Sequence, residues 1–130
     1  MEPDPEPLPP EETLQAASEL LEQARAFRAH EVFEARWKAT DGEERELWRA
    51  LAQLAVGITH AQRGNARGSA ALLRRGADNL RTWEGSRPYG LPVSALRAWA
   101  TEGAAAPLPA EKLLAAMPPL LDAEESDSGG

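Results

Sequence analysis

Residues 43 to 63 constrain the fold more than any other stretch. Leu47, Leu51, Leu54 and Ile58 recur there at helical spacing, and Trp48, Ala52 and Ala55 form a second apolar stripe beside them. A helix with two adjacent apolar stripes must be covered over much of its circumference, so other elements have to surround it. Alternation of β-branched and aromatic residues is absent along the chain, so those elements are helices too. The expected class is all-α: a compact bundle of antiparallel helix hairpins, with about four main helices and one or two short C-terminal ones.

The first helix is expected over 10–23, with Glu11 and Glu12 at the positive end of its dipole and Leu14, Ala17 and Leu21 on one face. A second, over 26–39, stops at Thr40-Asp41-Gly42. The third runs over 43–63. Gly64 suits a left-handed helix end and Asn65 an N-cap, which predicts a sharp connection into a fourth helix reaching Trp83. The inward stripe of that helix is read as Ala66, Ala70, Leu73, Ala77 and Leu80, mostly small residues that let a neighbour approach closely. Gly85 to Gly90 is an irregular loop. Pro92 opens a fifth helix to Glu102, and a last segment, 110–117, ends at Pro118-Pro119.

At 130 residues one domain is expected, bounded at 10–121. The net charge of -7 misdescribes that body. Residues 1–12 hold Glu2, Asp4, Glu6, Glu11 and Glu12, and 122–130 hold Asp122, Glu124, Glu125 and Asp127, with no base in either stretch. Between them the balance is slightly basic. The segments 1–9 and 122–130 are rich in Pro, Asp, Glu, Ser and Gly and read as disordered acidic tails. The chain lacks cysteine, which excludes disulfides, zinc-thiolate sites and a thiol nucleophile. No apolar run approaches the roughly 18 residues of a membrane span, and the start has no signal-peptide pattern. A soluble, cytoplasmic protein without a membrane partner is expected.

Two constellations carry candidate chemistry. His30 and Glu34 share a face of the second helix, with Glu31 on a neighbouring one and Phe27 and Trp37 flanking the pair. Arg49, Gln53, Val56, His60 and Arg63 form one stripe of the third helix, so antiparallel packing would let His30, Glu34, Gln53 and His60 meet. Such a cluster reads as a polar network with Glu34 as its hub, accepting from His30, Trp48 or an arginine. Read instead as chemistry, His30, Glu34 and His60 would bind zinc or another divalent metal with water in the open position. The helical His-Glu-x-x-His motif is incomplete, because Glu34 stands where its second histidine would be. The second constellation is basic: Arg67, Arg74 and Arg81 repeat at sevens, a candidate anion-binding ridge or an ordinary solvated face. Nucleic acid is not the expected partner, since no aromatics interleave with these arginines for stacking.

The same residues resemble the family known as domain of unknown function 309. Its pattern looks like Ala-His-Glu-x-x-Glu-x-x-Trp, then Leu-x-Gln-Leu-Ala with a histidine, then Arg-Gly-Asn-x-x-Gly-Ala before a leucine pair. This chain has Ala29-His30-Glu31, Glu34 and Trp37, then Leu51-Ala52-Gln53-Leu54-Ala55 with His60, then Arg63-Gly64-Asn65 and Gly68-Ser69 before Leu72-Leu73. The similarity covers about residues 14 to 84, more weakly into the fifth helix. Two departures stand out: Gln23-Ala24-Arg25 replaces an Asn-x-Gly-like turn, and Ser69 replaces alanine. The resemblance implies a compact helical fold and a site around His30, Glu34, Gln53 and His60. It implies no activity. The expectation is a non-enzymatic binding module for a protein or small anionic ligand, without a cofactor; the alternative is a metal-dependent hydrolase using His30, Glu34 and His60.

Overall fold

A computed structural model describes residues 6–121; of the segments 1–9 and 122–130 read above as tails, residues 1–5 and 122–130 lie outside the described residues, while Leu8 O accepts from Arg36 Nη1 at 2.8 Å. Six helices follow one another: α1 (Pro10–Glu22), α2 (Ala26–Lys38), α3 (Glu44–Gln62), α4 (Ala66–Asn79), α5 (Val93–Ala105) and α6 (Ala110–Ala116). Among the described residues there is no strand, as the apolar spacing requires. Each of the first four helices packs on the next, and α6 folds back onto α3. Both apolar stripes of α3 are buried, from Leu47 and Trp48 to Ile58. No helix among the described residues is long and apolar enough to cross a membrane.

The α1–α2 and α3–α4 connections are the same turn used twice. Ala24 takes φ +62° and Gly64 φ +76°. One residue later, Arg25 N donates to Leu20 O and Asn65 N to His60 O, each at 2.8 Å. This is the left-handed helix end whose bonds satisfy carbonyls of the last turn. Ala24 therefore does the work that Gly64 does in the second turn, at a cost of about 1 kcal/mol for a side chain in this conformation. Gln62 at the end of α3 helps hold it by donating from Nε2 to Ala24 O at 2.7 Å.

Two expectations about α4 are corrected. The helix ends at Asn79 rather than Trp83, because Leu80 leads into a short 3-10 turn over Arg81–Trp83 closed by Trp83 N to Leu80 O and Glu84 N to Arg81 O. Its buried face is Ser69, Leu73, Gly76 and Ala77, continued by Leu80, whereas Ala66 is exposed and Ala70 only half-buried. Gly57 and Gly76 explain the rotation. A Cβ on Gly57 would stand 3.0 Å from the Leu73 side chain, and one on Gly76 would stand 2.5 Å from Leu54 Cδ2. The closest contact thus passes through glycines rather than through the alanines of the expected stripe. Gly103 plays a similar part in α5, seating Leu73 and Leu113, and the helix runs on to Ala105 instead of stopping at Glu102. Trp99 Nε1 donates to Leu113 O at 2.9 Å and ties α6 to α5.

Candidate functional site on the α2–α3 face

The antiparallel pairing of α2 and α3 is marked at both ends by an arginine over an aromatic ring. Arg63 at the end of α3 lies 5.8 Å from the Phe27 ring at the start of α2. Arg45 and Arg49 lie 5.1 and 5.9 Å from the Trp37 ring at the other end. Between these ends α3 presents Arg49, Gln53, Val56, His60 and Arg63, none of them buried, while Leu51, Leu54 and Ile58 turn inward. The stripe read from spacing is the uncovered face of the most buried helix. Phe27 is 47% exposed, a large apolar ring with half its surface in water.

The expected cluster divides into separate pairs. His30 Nε2 lies 3.9 Å from Glu34 Oε2, and Lys38 Nζ lies 3.8 Å from Glu34 Oε1, both beyond hydrogen-bond length. Glu31 faces Arg28 at 3.6 Å. Gln53 turns to α4, where its Oε1 accepts from Asn79 Nδ2 at 2.7 Å. His60 also meets α4: its Nδ1 is 3.2 Å from Asn65 Nδ2. Asn65 Oδ1 caps the helix by accepting from Gly68 N at 2.9 Å, so the amide must present its NH2 group to the imidazole. Nδ1 of His60 is then an acceptor, and the neutral ring carries its proton on Nε2. Gly68 leaves the room this needs, since a Cβ there would stand 2.6 Å from Asn65 Nδ2 and 3.0 Å from His60 Cγ. The Arg-Gly-Asn-x-x-Gly motif is thus the support of His60. Among the described residues no three His, Asp or Glu side chains group closely enough to hold a metal ion, so His30, Glu34 and His60 are not assembled as a ligand set.

The carboxylate that acts as a hub is Glu44, which the sequence reading passed over. Trp48 Nε1 donates to Glu44 Oε2 at 3.0 Å, not to Glu34. The Tyr89 hydroxyl lies 2.9 and 3.0 Å from the two Glu44 oxygens, and its ring stacks on Trp48 at 6.0 Å. Burial, then the hydrogen bond and charge of Glu44, raise the Tyr89 hydroxyl above its ordinary range. Tyr89 holds φ +56°, a strained conformation that these contacts stabilise. The Glu44-x-x-x-Trp48 half was readable, because residues four apart meet on a helix. Tyr89, from a distant loop, left no local signal.

Other expected site residues are placed differently. Arg67 and Arg74 lie on α4, while Arg81 stands in the 3-10 turn that follows it and pairs with Asp78 at 3.3 Å. Trp48 and Trp99 are buried, but Trp37 and Trp83 are only partly so. Two buried polar atoms on this face have no hydrogen-bond partner: His30 Nδ1 and Trp37 Nε1.

Residues 14–72 match the model of the family described as Domain of unknown function (DUF309). The resemblance carried by the His-Glu and Arg-Gly-Asn motifs therefore holds from α1 into the middle of α4, and the match ends short of residue 84. No curated protein and no solved structure matches the chain significantly.

Two outcomes follow from this geometry. Glu44→Ala strands the Trp48 and Tyr89 donors and should cost about 1 to 3 kcal/mol in denaturant unfolding, whereas Glu34→Ala, which breaks only long ion pairs, should change stability by less than about 0.5 kcal/mol. Tyr89 is the only tyrosine, so the tyrosinate absorbance reports it alone. Its midpoint should lie above the ordinary value near 10 and fall toward that value in Glu44→Gln. Because folding raises this acid's pKa, its contribution to stability is present below pH ~10 and is lost as pH rises through the folded value.

Proposed function

We propose that this chain is a non-enzymatic binding module of the cytoplasm, and that the α2–α3 face is where a partner protein docks. The observation that carries the reading is the arrangement along α2: a half-exposed Phe27, a partly covered Trp37, and between them His30 and Glu34 without hydrogen-bonded partners of their own. Aromatic rings with arginines beside them supply much of the energy of protein interfaces. The buried atoms without a partner, His30 Nδ1 and Trp37 Nε1, can gain a bond from an arriving surface. The helices that carry these groups are anchored beneath by buried residues such as Phe33, Leu51 and Leu54, which gives the face a rigid backing. A hydrolase would need His30, Glu34 and His60 together around one ion, and the described side chains form no such group.

Replacing Phe27 with a photo-crosslinking phenylalanine derivative in the living cell should give discrete protein adducts. The same probe at Glu102, exposed on α5 away from α2, should give none. Equal labelling at both positions, or none at Phe27, would count against the reading. Zinc or manganese should leave the unfolding midpoint unchanged; a rise with metal that His60→Ala abolishes would favour the hydrolase.

A further inference from the structure

The geometry points to an oxyanion site at the Trp37 end of this face, formed by Trp37 Nε1, Arg45 and Arg49 and suited to a carboxylate of an acidic peptide. This rests on the α2–α3 face being a docking surface, and names what one end of it holds. The indole N–H of Trp37 is a donor with no acceptor capacity, and it is buried with no acceptor in reach. The nearby groups that lie over its ring are two guanidiniums, at 5.1 and 5.9 Å, carried on long side chains that can swing aside. Arg45 pairs with no carboxylate among the described residues; its recorded contact is the indole face itself. Arg49 has one acidic neighbour, Glu46, at 3.4 Å across a solvent-exposed pair that an incoming anion can displace.

These facts together specify the ligand. The unmet indole N–H asks for an acceptor, and two guanidiniums on the same ring ask for negative charge. A group with two oxygens answers both, one oxygen taking the indole hydrogen and the other a guanidinium fork, as carboxylates and phosphates do. Among the described residues Glu46 is the one carboxylate paired with either arginine, which leaves one guanidinium charge unmatched.

The test uses the full chain, with a hexaglutamate peptide and inorganic phosphate as separate probes, followed by the indole N–H signals in nitrogen–proton NMR spectra. The signal lost in Trp37→Phe identifies Trp37. That signal should move on addition of the peptide, with affinity about tenfold weaker in Arg45→Gln and in Arg49→Gln, the loss of one hydrogen bond to a charged group. A shift with phosphate as well shows that free anions share the site. No movement of the Trp37 signal with either probe overturns the site, as does binding that both variants leave unchanged. Adducts at Phe27 in the cell with a silent Trp37 signal would leave the docking face standing and remove only the oxyanion site.

Discussion

Leu73 of α4 sits where Gly57 of α3 has no side chain, and Leu54 of α3 sits where Gly76 of α4 has none. This reciprocal seating sets the rotation of both helices about their axes. With Leu54 and Ile58 held inward, Arg49, Gln53, His60 and Arg63 have to face outward, since the two sets lie on different sides of one helix. The register of α4 then brings Asn79 to Gln53 and Asn65 to His60. Close packing makes such an arrangement one of a few discrete choices and not a continuum, because interiors at crystal-like density have no slack for intermediate rotations.

The α2–α3 face lies on the outer side of that arrangement, and its residues are chosen less well for stability than those beneath. Phe27 exposes apolar surface that burial would make favourable, and Trp37 holds a buried N–H without an acceptor. Groups of this kind lower stability in the isolated chain, by about 1 to 3 kcal/mol for each unmet polar group. Away from this face the buried donors are satisfied: Trp48 by Glu44, Trp99 by Leu113 O, Thr59 by Ala55 O.

Spacing made most of the fold legible. The stripes of α3, the face of α1 and the Gly64-Asn65 connection follow from periodicity and capping, which are local. The end of α4 did not, because Leu80 and Trp83 continue an apolar pattern while the backbone tightens into a 3-10 turn. The inward face of α4 was read one step away because alanine and glycine are both small, and only a three-dimensional contact shows that Leu54 and Leu73 need glycine. Gln53 and His60 do share one stripe, but it was read as meeting His30 and Glu34, and their partners come from α4 instead, a choice between two neighbouring helices that spacing on one helix does not contain. Ala24 shows the converse. It lacks the glycine expected at such a turn and makes the same geometry, because the bonds on either side of it outweigh its strain.

The seating of Leu54 against Gly76 is measured most directly by a double-mutant cycle in denaturant unfolding. Gly76→Ala should cost about 1 to 3 kcal/mol by forcing a methyl group against Leu54, even though alanine favours helix by about 1 kcal/mol. Leu54→Ala should cost about 2 to 5 kcal/mol by opening a cavity. In the double variant the new methyl meets no leucine, so the combined loss should fall short of the sum by at least about 1 kcal/mol. Additive losses, or a Gly76→Ala variant more stable than the parent, would show that glycine is not what lets α4 approach α3.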